Sequence, residues 1–159
     1  MSVNFDDLSV FDTVTPANSG AWLTLKDAQD NPTNRRMKLL GVNSDVWQND
    51  NYSDADQRQR VLAKGGKPVL ESAKQSDERY KKRVAKMCVA WEGFKDENGN
   101  DAPCTKDNVY AVLTHPKIGL LIFAQALEFI LDPANFGEAG EKHPDPRQPE
   151  EQLAAIAKN

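Results

Sequence analysis

Histidine and cysteine, the residues from which compact metal and nucleophile sites are usually built, are scarce in this chain of 159 residues. Its cysteines are Cys88 and Cys104, and its histidines are His115 and His143. A zinc site needs clustered nitrogen and sulfur ligands, and no CxxC, HxxxH or HxxEH spacing occurs, so no metal and no other cofactor is expected. Cys104 and His115 form the one pair near enough in sequence for a nucleophile and its base. A loop cysteine beside a helix cap is the plainer reading, and no catalytic residue is assigned. The run Lys64-Gly65-Gly66-Lys67-Pro68 lacks the order of a phosphate loop, because a proline follows the lysine where Ser or Thr is required. Excess positive charge is missing too. Lys and Arg number 20 against 24 Asp and Glu, a net charge of −4, which argues against nucleic acid as a partner.

Long hydrophobic runs are also absent. The most apolar tract, Ile118 to Leu131, is broken by Gln125 and Glu128 and falls short of the roughly 20 residues that cross a bilayer, so no membrane contact is expected. The opening residues Met1 to Asp7 are acidic and lack the basic-then-apolar order of a secretory leader. The expectation that follows is a reducing cytoplasm with both thiols free.

The chain reads as one mainly α domain, small and helical, with an N-terminal β-hairpin and flexible termini. Residues 1–20 are acidic, then rich in Thr, Pro, Asn and Gly, and read as a flexible lead-in. Residues 21–137 form the folded unit, and 138–159, dense in Glu, Pro and charge, read as a flexible tail. Ala21–Lys26 and Arg36–Leu40 flank a turn-rich stretch and predict a two-stranded hairpin. Ser44 is placed to cap a helix running to about Ala63, and Gly65-Gly66 with Pro68 ends it.

Beyond that stop, Tyr80, Val84, Met87, Cys88 and Trp91 recur at helical spacing and predict a helix from about Leu70 to Phe94. Lys82, Arg83 and Lys86 fall on the opposite side as a solvated basic face. A turn follows over 95–104. Thr105 then caps a short helix, and Pro116 opens a last one in which a narrow stripe through Lys117, Gln125 and Glu128 is polar. A helix apolar round most of its circumference is either the centre of the core or a face offered to a partner.

The order of parts carries a resemblance. Trp91, Gly93 and Phe94 close one segment, Pro103, Thr105 and Asn108 open the next, and Asn135-Phe136 ends the hydrophobic helix. That order resembles the tail assembly chaperones of tailed bacteriophages, over roughly the middle third of the chain. The resemblance implies a non-enzymatic protein of the host bacterial cytoplasm that binds the tape measure protein and the major tail tube protein during tail morphogenesis. Self-association is compatible with it. The alternative is a permanent structural phage tail or connector protein. Exposed apolar stretches of a long helical client need shielding before enclosure, and a helix-in-groove contact would provide it. The expected partner-binding residues are Trp91, Phe94, Leu121, Phe129 and Phe136, and the alternative is that Trp91, Phe123, Leu127 and Phe136 belong simply to the core.

Overall fold

The computed structural model describes residues 2–67 and 71–137. The tail expected over 138–159, and the helix start expected near Leu70, lie outside the described residues. The chain opens with a 3-10 helix, Asp6–Phe11, followed by a short helix α1, Val14–Ser19. The lead-in is therefore more structured than expected. The Asp12 carboxylate accepts the backbone N–H groups of Val14 and Thr15, both at 3.0 Å, where α1 begins. Ala17 is buried and its carbonyl accepts the Gly41 N–H at 3.0 Å, which ties α1 to the body.

Strands β1, Ala21–Lys26, and β2, Pro32–Leu39, form the expected antiparallel hairpin, with Leu23 opposite Met37. Helix α2, Asp45–Ala63, starts where expected, the Ser44 hydroxyl accepting the Trp47 N–H at 3.3 Å. Helix α3, Ala73–Met87, opens on a capping box in which Ser72 and Gln75 satisfy each other's backbone donors. It then stops earlier than the sequence suggests. Cys88–Glu92 forms strand β3, which pairs antiparallel with the free edge of β2 and sets Trp91 opposite Met37.

The helix expected to run to Phe94 is thus corrected to a helix and a strand. The hairpin is marginal alone, and a third strand satisfies the open edge of β2 with backbone hydrogen bonds that a longer helix would leave unmade. Val89 and Trp91 are also better suited to a strand than to a helix end. The sheet order is β1-β2-β3, with a bulge between Lys38 and Leu39.

Helix α4, Lys106–Thr114, is capped by Thr105, which accepts the Asn108 N–H at 3.1 Å. Helix α5, Gly119–Leu131, begins three residues after Pro116. Gly119 permits the sharp passage between the two: a Cβ there would sit 2.3 Å from the Leu113 carbonyl oxygen. Helices and a small antiparallel sheet share one core. Met37 and Leu39 from the sheet, Val84 and Met87 from α3, and Val109, Leu113 and Ile130 from α4 and α5 are all fully buried. Each such side chain contributes about 1.5–3 kcal/mol relative to exposure. Helix α2 stands apart, since Trp47 is its one buried residue. Among the described residues no single helix is long and apolar enough to cross a membrane.

Candidate protein-binding surface

The residues that carry the resemblance do local structural work. Gly93 has φ +86°, and a Cβ there would lie 2.6 Å from the Asn34 carbonyl oxygen, so glycine is required where β3 turns beside β2. The turn folds Phe94 back onto Trp91, with ring centroids 4.2 Å apart and planes 18° from parallel. Trp91 Nε1 donates to the Ala102 carbonyl at 2.8 Å. Asn108 Nδ2 donates to the Pro103 carbonyl at 2.9 Å, locking the loop before α4. At the far end Asn135 Nδ2 donates to the Phe129 carbonyl at 3.0 Å, and the rings of Phe129 and Phe136 meet edge to face at 5.5 Å.

The five expected partner-binding residues therefore do not form one groove. Phe129, 5% exposed, and Phe136 are core. Trp91 and Phe94 are half-buried and stack on each other against the core. Leu121 is exposed and stands on the outer side of α5. The outward stripe of α5 runs through Leu120, Leu121, Ala124, Glu128 and Leu131, a three-and-four spacing that keeps them on one face. Leu120 is 78% exposed, and Ile118 extends the patch at the helix start. Only Glu128 interrupts it. Gln125, expected on the polar stripe, is half-buried: its amide donates to the Lys26 carbonyl at 2.9 Å and accepts the Lys26 N–H at 2.8 Å.

A second apolar surface lies in the N-terminal segment, which reads in sequence as an acidic, flexible lead-in. All of residues 2–15 are exposed, among them Phe5, Leu8, Val10 and Phe11. A short chain segment without a buried residue breaks the usual economy of apolar exposure. The alternation of Val3, Phe5, Leu8, Val10 and Phe11 with polar residues was the available cue.

The basic stretch of α3 is corrected as well. Arg83 is 3% exposed rather than solvated, and its guanidinium donates to Asn51 at 2.7 Å and to Asp54 at 2.5 Å on α2. Its guanidinium carbon lies over Trp47, 5.0 Å from the ring centre. Arg79 donates to Asp54 and to Glu71, each at 2.9 Å, and the Glu71 bond is the main reason its pKa lies above the ordinary arginine value. Lys86 reaches Asp50 at 3.2 Å, and Lys81 pairs with Asp77 at 2.7 Å. Between α2 and α3 these bridges leave an open cleft of about 780 Å³.

The two thiols are close: Cys88 Sγ and Cys104 Sγ are 3.7 Å apart, both free. Burial, then the neighbouring sulfur, pushes the Cys88 pKa up, and burial raises that of Cys104. The structure thus pairs Cys104 with Cys88. His115 instead sits at the end of α4, where its Nδ1 accepts the Lys117 N–H at 3.1 Å. Among the described residues no group of three His, Cys, Asp or Glu side chains is arranged to hold a metal ion. Comparison with family models, with curated proteins and with solved structures finds no match.

Proposed function

We propose that this chain is a protein-binding module that shields an apolar helical partner. The observation that carries the reading is the outer stripe of α5, where Leu120, Leu121, Ala124 and Leu131 face solvent on a helix whose opposite side is already satisfied by the core. A monomer that needed α5 only for its core would gain nothing from leucines on the outer side, and such patches mark contact sites. The surface is the convex side of a helix rather than a groove. It fits a helix laid alongside it, with side chains interleaving at three-and-four spacing.

The particular module we infer is a phage tail assembly chaperone of the host cytoplasm. Its clients would be the tape measure protein, a long helical chain with apolar stretches, and the tail tube subunit. The support is the ordered set Trp91, Gly93, Phe94, Pro103, Thr105, Asn108, Asn135 and Phe136, whose turn, cap and edge-to-face contacts build the frame that presents α5. Shielding by a few exposed leucines is reversible, as assembly requires, because each contributes only a modest part of the contact. Co-expression with the tape measure protein, followed by affinity capture, tests the reading. A complex that keeps the tape measure protein in solution supports it, and no association with either client overturns it.

A further inference from the structure

The cleft between α2 and α3 is built from facing stripes. On α2 the lining residues Ser53, Gln57, Val61 and their neighbours fall at three-and-four spacing, and on α3 so do Gln75, Glu78, Lys82 and theirs. Two helices turn one face each toward an open cleft of about 780 Å³, room enough for a short piece of polypeptide. Arg79, Arg83 and Lys86 are matched there by Asp50, Asp54 and Glu71. Arg58 and Lys82 line the cleft with no ion-pair partner among the described residues, against Glu78 as the one similarly unmatched carboxylate. Toward the C-terminal end of α2, Val61 and Leu62 line the cleft and are exposed. The cleft therefore offers an apolar end and a small excess of positive charge.

The chain carries a segment with the complementary character. Residues 2–11 hold Phe5, Leu8, Val10 and Phe11, all exposed, together with Asp6 and Asp7, and the first basic residue of the whole sequence is Lys26. This segment is not seated in its own cleft, since each of its residues faces solvent. It leaves the body at α1, whose Asn18 exchanges two hydrogen bonds of 2.9 Å with Asp45 at the start of α2. Val61 is sixteen residues further along that helix, about 24 Å away. Segment and apolar cleft end thus lie toward opposite ends of α2.

We propose that the α2–α3 cleft of one molecule receives residues 2–11 of a second copy, head to tail. Phe5, Leu8 and Phe11 cover Val61 and Leu62, while Asp6 and Asp7 meet Arg58 and Lys82. Such a contact uses different surfaces on the two partners, so it propagates into a ring or a short filament rather than stopping at a symmetric dimer. It is independent of the client-binding face on α5.

Sedimentation of the full chain over a concentration series tests this, with two variants each missing one half of the contact. One lacks residues 2–11. The other carries Arg58→Glu and Lys82→Glu, both at exposed positions without ion pairs among the described residues, and circular dichroism checks that each variant is folded. The expected result is concentration-dependent association of the full chain, weakened by added salt and at least about tenfold weaker in each variant alone. Mixing the two variants should restore a single junction and give a one-to-one dimer that grows no further. A full chain that is monomeric throughout, association that survives loss of residues 2–11, or a mixture that forms no dimer would each overturn the proposal.

Discussion

Arg83 on α3 donates to Asp54 on α2 at 2.5 Å, and this bond, with that of Arg79 to the same carboxylate, takes the place of apolar packing between the two helices. The pair is asymmetric, because Arg83 is nearly enclosed while Asp54 is partly exposed. Removing the carboxylate leaves the buried cation with the more distant Asp50 carboxylate, 3.6 Å from Nε, and the Asn51 amide oxygen. Asp54→Ala should cost about 1–2 kcal/mol in urea unfolding, through the charge-assisted bonds lost from Arg83 and Arg79, whereas Lys82→Ala, at an exposed position without an ion pair among the described residues, should change stability by less than about 0.5 kcal/mol. Equal small effects would show that the helices are held by something else.

Gly119 sets a steric test of the passage from α4 to α5. A Cβ would meet the Leu113 carbonyl oxygen at 2.3 Å, and that oxygen belongs to the backbone of a helix whose own side chain is fully buried. Gly119→Ala should destabilise by about 2 kcal/mol or more, since neither helix can withdraw without opening the core. Chemical denaturation reads the change directly.

Gln125 holds the end of the edge strand β1 by bonding both backbone groups of Lys26. Gln125→Ala should leave those groups to water and cost about 1 kcal/mol. Its specific signature is faster hydrogen exchange of the Lys26 amide with little change at Met37, which lies in the centre of the sheet.

The thiols define a pH dependence. Burial raises the Cys88 pKa in the folded state, so the unfolded chain loses its proton first as the pH climbs through about 9, the ordinary thiol value. The contribution of Cys88 to stability is thus complete below that pH and declines above it. The decline should be smaller in Cys88→Ala. Alkylation should reach the more exposed Cys104 before Cys88, and both should react more slowly in the folded chain than in denaturant.

The local signals were legible in the sequence where a cap or turn residue has one physical role. Ser44 and Thr105 start helices as expected, and the hairpin falls where its flanking strands and polar turn indicated. Cys88–Glu92 was not legible, because Met87, Cys88 and Trp91 satisfy helical spacing and the deciding factor, the open edge of β2, is a tertiary partner. Arg83 was misread for a related reason. It lies three residues after Tyr80, so the two are neighbours on the helix, with the guanidinium carbon 5.6 Å from the Tyr80 ring centre, and the polar side chains of α2 cover it there. For the surface, an almost wholly apolar α5 correctly posed the choice between core and partner. Which leucines remain outside depended on where α4 and the sheet pack, which separates Leu120 and Leu121 from Phe129.

The most direct test of the client-binding account compares Leu120→Asp with Phe129→Asp in cells that also express the tape measure protein. Leu120 is exposed and Phe129 is core, so circular dichroism should show a native fold for the first and a disrupted one for the second. The account predicts that the intact chain captures the tape measure protein and keeps it in solution, while folded Leu120→Asp loses capture. Full capture by Leu120→Asp would contradict it, as would no association of the intact chain with its client alongside recovery of the chain in purified particles.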